Sequence, residues 1–575
     1  MPVDRQSVSP LLGDKAFPSF APSSSRRLRI LWPVVIVAGV LTASAAFHSG
    51  GVPSALEPLK DRIQQYVSYN DDSAPPVRWS VEDRELRNYT WATPPVHSSL
   101  QQIVDSLTPA QRRTREWLAS ARVQSEGGTG IGLGAADPPR AIKGGQARAH
   151  RYAPGQGEGP GLYTSGSRAK YYDLVHEWTT GRQAEACEHN QWEANYTRMH
   201  KEMISGEREP WVLEFVCHEG GFCGGYADRM LGIISTFLYS IISNRAFFMR
   251  WEHPAPPDLI FDSPNIDWSR PFNTSSTTEA RAPFNNMTFG SSIQAHNWDW
   301  QLDQFFPKFY KDYAAETGGA KPWVTLDVNR GVVFRSFYYD TIIPRLEELG
   351  IKFTTAYACL IKYLFRPKPA VLKFISQYTS LFSLPEYFVV GVQVRTGDAS
   401  MFCANCDKHT VGLYKQYFDC ADALAKRYAH PSQKKLIYLI TDSNNLEEDA
   451  LKTFNGSIVV TGLEQSHDEL KYMNKNGTEV VHTSLDGYMR TVAESFIFSN
   501  TDYQILTQRS GFGKIPTWQR GKDHTTVVMF NPYLDLSMTN RAKAANGGKL
   551  PPPLDCSKPK ALTSFADLAL DWSLG

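Results

Sequence analysis

The sequence predicts an α/β fold built on parallel sheets, and three observations predict it. Residues 388–398, FVVGVQVRTGD, are a valine-rich run that ends abruptly in Arg395, Gly397 and Asp398. A strand covered on both faces reads as a continuous apolar run of this kind, and its charge appears where the strand stops. Residues 435–441 (KLIYLIT) and 503–507 (YQILT) repeat the pattern, ending at Asp442-Ser443 and at Arg509-Ser510. Residues 211–251 read as a βαβ unit: strand 211–217, a Gly-rich turn, an apolar helix over 229–243, and strand 246–251. Strands that alternate with helices in this way predict parallel sheets with helices on both faces.

At 575 residues the chain is long enough for three to four domains. Its 60 basic and 59 acidic side chains leave a net charge of +1, which excludes a dedicated nucleic-acid or polybasic membrane surface. Residues 30–47 carry no charge and follow Arg26, Arg27 and Arg29. That length is near the minimum for a membrane-spanning helix, and the arginines place the preceding flank in the cytosol. Residues 1–29 are expected as a cytoplasmic tail, and 30–47 as an uncleaved signal anchor of a single-pass type II protein. The alternative is a cleaved signal peptide, with Ala43-Ser44-Ala45 as a small-residue site. Either way the bulk of the chain enters the secretory pathway. Sequons headed by Asn88, Asn195, Asn273, Asn286, Asn455 and Asn476 agree with that. The 8 cysteines are expected in disulfides, with the lone pair Cys403 and Cys406 bridged, Cys420 being one partner considered. No second pair supplies the ligands of a structural zinc.

Residues 48–170 are expected to form a stem. It has weak helical stretches at 97–122 and a Gly/Pro/Ala/Arg-rich run at 126–162 that lacks the apolar groups needed to offset ordering entropy. Residues 171–380 and 381–575 then read as two α/β halves. In the first, the turn HEGGFCGGYADR at 218–229 brings glycines to a helix start. That arrangement admits a ligand to the helix amides, or simply packs strand on helix. Its spacing is not that of a dinucleotide fingerprint. Residues 252–330 read as surface loops. In the second domain, helix 484–499 precedes the strand at 503–507, and Ser510-Gly511-Phe512-Gly513 opens a further helix. Three strand ends thus carry polar groups on one edge. Open α/β sheets bind ligands there, and cation, hydroxyl and helix amides together suit an anionic nucleotide. Taken singly, Arg395 also reads as a salt bridge at a strand end, and Ser510 as an ordinary helix cap.

The order VGVQVRTGD, YLITDSNNLEEDA, AESFIFSNTDYQILTQRSGFGKI resembles the three C-terminal motifs of the fucosyltransferase superfamily, which includes the α1,2-, α1,6- and protein O-fucosyltransferases and the plant xyloglucan-type enzymes. The segment GGYADRMLGIISTFLYSIISNRAFFM resembles that superfamily's N-terminal Gly-rich motif, although Tyr226-Ala227 departs from the usual glycine pattern. Together the motifs run from Gly220 to Lys514. The resemblance implies a GT-B-like architecture, two Rossmann-like domains facing a cleft. It further implies a metal-independent, inverting Golgi enzyme, with no cofactor, that moves fucose from GDP-fucose to a glycan or glycoprotein acceptor; the alternatives are a GT-B transferase that uses another nucleotide sugar and a non-catalytic sugar-binding protein on the same fold. It implies Arg395 on the diphosphate, Gln393 beside the guanine, Asp442 on the nucleoside, and Ser510, Gly511 and Phe512 around the phosphates. Arg229 matches the arginine of the N-terminal motif. For the general base, Asp398 is the leading candidate, with Asp407 and Glu494 as alternatives.

Overall fold

The computed structural model describes residues 91–127, 187, 192–217, 224–251, 257–268, 289–295, 322–397, 407–463, 471–473, 479–481, 485–508, 510–520, 526–530, 554–563 and 567–568. Residues 30–47 lie outside them; among the described residues no helix is long and apolar enough to cross a membrane.

Two parallel sheets organise the chain. The first contains β1 (Val212–Cys217), β2 (Ala246–Trp251), β3 (Phe289–Ala295) and β4 (Trp323–Val328), in the order β2-β1-β4-β3. The second contains β5 (Tyr387–Val394), β6 (Lys434–Thr441), β7 (Ile458–Val459), β8 (Tyr503–Thr507) and β9 (Val527–Phe530), in the order β9-β8-β5-β6-β7. Every residue of β1, β4, β5 and β8 is buried, as expected of strands covered on both faces. The helices are α1 (Ser98–Asp105), α2 (Pro109–Gly127), α3 (Trp192–Ser205), α4 (Tyr226–Ile242), α5 (Ala356–Leu364), α6 (Pro369–Phe382), α7 (Lys415–Tyr428), α8 (Asn444–Thr453), α9 (Leu485–Phe498) and α10 (Gly511–Gln519). A short 3-10 turn, Arg335–Tyr338, follows β4.

The strands and helices expected at 211–251 and 387–519 form within one to three residues of their sequence-derived ends. The stretch 252–330 differs. It was expected as surface loops, yet it supplies β3 and β4, and β4 lies between β1 and β3 in the sheet. Its sequence, WVTLDV, places Thr325 and Asp327 inside a buried strand, which breaks the apolar run.

The stem assignment also fails in part. Helices α1 and α2 fall inside 48–170 but are built into the body. Leu100, Ile103 and Leu118 are at most 4% exposed and belong to the main core. Arg115 Nη2 donates to the Gln377 carbonyl at 2.8 Å, on α6. Val460 N, just past edge strand β7, donates to Ser99 Oγ at 3.3 Å. A sheet edge left open is an aggregation hazard, and α1 covers this one.

Disulfides tie the remote segments. Cys187 pairs with Cys359 on α5, and Cys420 on α7 pairs with Cys556. Cys420 is therefore not the partner of the Cys403/Cys406 pair, which lies outside the described residues. Among the described residues no cysteine is free. The two described sequon asparagines, Asn195 and Asn455, are exposed.

Two outcomes follow from this packing. Leu100→Ala removes a fully buried side chain from a helix once assigned to a stem, so equilibrium urea unfolding should show a loss of about 2–5 kcal/mol. A flexible stem residue would show none. His200 on α3 is 1% exposed, with Nε2 3.0 Å from the Phe247 carbonyl, and burial pushes its pKa down to about 4. The unfolded chain therefore binds the extra proton first. Stability should fall as pH drops from about 6.5 toward 4, by up to about 3 kcal/mol at 1.36 kcal/mol per unit. His200→Gln should flatten that part of the stability–pH curve.

Candidate functional site at the carboxyl edge of the second sheet

Strand β5 pairs in parallel with β6 along its whole length, from Tyr387↔Lys434 to Val394↔Thr441, and with β8 from Tyr503↔Val390. Parallel pairing puts the residues after Val394, Thr441 and Thr507 on one edge. The three sequence-predicted strand ends therefore meet.

Asp442 is the centre of the edge. Its Oδ2 accepts from Arg395 Nη1 at 2.5 Å and from Gly397 N at 3.0 Å. Its Oδ1 accepts from Thr396 N at 2.6 Å and from Thr396 Oγ1 at 2.8 Å. A carboxylate offers about four lone-pair sites, so these bonds saturate it. Asp442, expected on the nucleoside, uses this acceptor capacity to fold residues 395–397 into a loop and to aim Arg395. Gly397 has φ +115°, a conformation that L side chains rarely adopt, so glycine is required to complete the loop.

Gln393 is also engaged. It is 2% exposed, its Oε1 accepts from Thr507 N at 3.1 Å, and its Nε2 donates to Ser510 Oγ at 3.1 Å. Expected beside a base, it locks the turn after β8 to strand β5. Thr507 completes the lock. Its hydroxyl donates to the Gln393 carbonyl at 3.1 Å, and accepts from Arg395 N at 2.9 Å and from Tyr417 on α7 at 3.1 Å. Sequence reasoning passed over Thr507 and Tyr417; the only signal was a hydroxyl as the last residue of an apolar strand.

Ser510 is the N-cap of α10, yet its side chain makes no capping bond. A capping serine accepts from the second or third helix amide; here the hydroxyl is turned to Gln393. The first-turn amides are left for a ligand at the positive end of the helix. The N-terminus of α4 abuts this point. Its N-cap, Gly225, provides no side-chain bond either. A Cβ built at Gly511 would lie 3.0 Å from Ala227 Cβ, and the Tyr226 and Phe512 rings meet edge-on at 6.3 Å. Deeper along α10, Trp518 packs on Phe334 and Tyr357 of the first lobe, at 5.1 and 5.8 Å. The helix that opens at Ser510 is thus anchored in both lobes.

Arg229 lies in the first turn of α4. It is 1% exposed, donates Nε to the Gly224 carbonyl at 2.8 Å, and stacks on Trp251 at 5.3 Å. Its described contacts hold the Gly-rich turn. Two of the three base candidates are likewise committed to structure. Asp407 Oδ1 accepts from Ser443 Oγ at 2.6 Å, and its Oδ2 from Asn445 N at 3.0 Å, so it braces the start of α8. Glu494 is 3% exposed and accepts from Thr461 Oγ1 at 2.6 Å and Arg490 Nε at 2.9 Å. Burial raises its pKa, against the pull of Arg490 and the Thr461 hydrogen bond. Asp398 and Arg509 lie outside the described residues. Among the described residues no cluster of three or more His, Cys, Asp or Glu could hold a metal.

No family profile matches the chain, and no curated protein matches it by sequence. Solved structures do. An Arabidopsis thaliana FUT1 variant in complex with GDP is 15% identical, with a TM-score of 0.39 over 59% of this chain and 77% of its own. The α-1,6-fucosyltransferase NodZ co-crystallised with GDP is 12% identical, with a TM-score of 0.34 over 56% and 96%. The fucosyltransferase NodZ from Bradyrhizobium is 12% identical, with a TM-score of 0.32 over 54% and 93%. At such scores and identities, function is left to the chemistry of the site.

That chemistry makes a direct prediction. Asp442→Ala removes the four hydrogen bonds that Asp442 accepts from residues 395–397, so Arg395 loses the carboxylate that aims it. GDP affinity, measured by isothermal titration calorimetry, should fall by about tenfold or more, the equivalent of one charge-assisted hydrogen bond. An unchanged Kd would show that the Asp442 contacts do not matter to the ligand.

Proposed function

We propose that the chain is a glycosyltransferase that moves fucose from GDP-fucose to a glycan or glycoprotein acceptor, with inversion and without a metal. The observation that carries this reading is the uncapped N-terminus of α10 beside an arginine held rigidly at the end of β5. A diphosphate needs that combination: fixed cationic charge and converging amide donors. The motif order from Gly220 to Lys514 supports the choice of GDP-fucose among nucleotide sugars.

In this reading Arg395 binds the diphosphate and neutralises the charge that develops on it as the sugar–phosphate bond breaks. It is pre-aimed by Asp442, so no reorganisation is needed at the transition state. The α10 amides and the loop Ser510-Gly511-Phe512 hold the remaining phosphate oxygens. Asp398, the residue after Gly397 in the sequence, is proposed as the base that takes the acceptor hydroxyl's proton. Gln393 and Arg229 act behind the site, keeping the two turns in register. The first lobe, 171–380, is proposed to supply the acceptor side of the cleft. Disulfides, exposed sequons and the apolar segment at 30–47 support a luminal enzyme of the Golgi, anchored by one helix.

Thermal stabilisation by GDP, UDP and CMP tests the donor class. GDP is expected to raise Tm and UDP to leave it unchanged; stabilisation by UDP alone overturns the reading. Arg395→Ala should abolish most transfer from GDP-fucose while leaving the fold intact by circular dichroism. Near-normal activity in that variant would remove the role given to Arg395.

A further inference from the structure

Asp442 gives the edge a charge deficit. It neutralises the arginine that faces the proposed ligand, whereas a nucleotide-sugar diphosphate brings two negative charges. A further cation at that edge would strengthen binding, and a set of contacts ties His409 to it. Two chains of contacts locate it. On one side, His409 N donates to Asp407 Oδ1 at 3.4 Å, and Asp407 is bonded to Ser443 and Asn445 at the end of β6. On the other, His409 Nδ1 lies 2.9 Å from Tyr414 Oη. Tyr414 packs edge-on against Tyr417 at 6.0 Å, and Tyr417 is bonded to Thr507 at the end of β8. Strand β5 runs between β6 and β8. His409 is therefore tied to the ends of both β6 and β8, the strands that flank β5.

Its orientation is fixed as well. Tyr414 is 3% exposed, and its ring lies 5.6 Å from the imidazole. With Nδ1 tied to Tyr414, Nε2 has no hydrogen-bond partner among the described residues, and the ring is half-exposed. We propose that His409 is a second cation of the donor site, its imidazolium Nε2–H donating to the diphosphate with Tyr414 as its positioning residue. This rests on the nucleotide-sugar reading above.

Among the described residues, the titratable and charged groups on the segments next to the ring are Asp407 and Lys408 on its own loop, Tyr414 just before α7, and Asp449 on α8, which accepts from Val411 N at 2.8 Å. Imidazoles change charge between about pH 5 and 8, whereas a nucleotide-sugar diphosphate, a diester, keeps its two charges across that range. GDP-fucose is therefore the probe. Its Kd is measured by calorimetry from pH 5.5 to 8, with guanosine as the uncharged control. In the wild type, affinity for GDP-fucose should weaken as pH rises while that for guanosine stays level. His409→Asn should weaken GDP-fucose about tenfold at the acid end and remove the pH slope, with Tm unchanged. Tyr414→Phe should weaken binding less and keep the slope. His409→Gln serves if the Asn variant is unstable. A wild-type slope that persists in the histidine variants overturns the assignment while the nucleotide-sugar reading stands. Failure of the wild type to bind both GDP-fucose and GDP overturns both.

Discussion

The saturation of one carboxylate governs the second lobe. Asp442 takes four hydrogen bonds from residues 395–397, so the loop after β5 has a single geometry and its arginine a single direction. Asp442 is 7% exposed. A buried carboxylate of this kind is tolerated only when its lone pairs are met, so Asp442 and the loop require each other. The loop is also why Gly397 must be glycine.

The Asp442 lock has a second tier. Thr507 joins β8 to β5 through the Gln393 carbonyl, to the loop through Arg395 N, and to α7 through Tyr417. Gln393 extends the same network to Ser510. Every one of these groups is buried or nearly so, and buried polar networks are rigid only when fully satisfied. Their function is therefore to hold other groups still. In our proposal the groups that act on a ligand are the Arg395 guanidinium, the α10 amides and His409.

The sequence made the parallel core legible because strands buried on both faces carry an unbroken apolar run: 387–394, 434–441 and 503–507 could hardly be anything else. It also showed that their ends share an edge, since parallel pairing follows from alternation with helices. Strand β4 escaped because Thr325 and Asp327 interrupt the run, and the packing of α1 and α2 into the body escaped because their apolar residues are sparse and contact distant partners such as Gln377 and Val460. Residue roles were the least legible. Gln393, Asp442 and Arg229 were all found as site residues, but sequence spacing cannot separate a side chain that meets a ligand from one that bonds its neighbour. That distinction depends on where the lone pairs and protons already go. The same accounting commits Asp407 and Glu494 to structural bonds.

The central claim is that Arg395, aimed by Asp442, binds the diphosphate of a guanine nucleotide. The most direct measurement is the affinity gap between GDP and guanosine, determined by calorimetry in the wild type and in Arg395→Ala. The account predicts that the gap shrinks by about tenfold or more in the variant, with guanosine affinity unchanged. An equal gap in both proteins would contradict it.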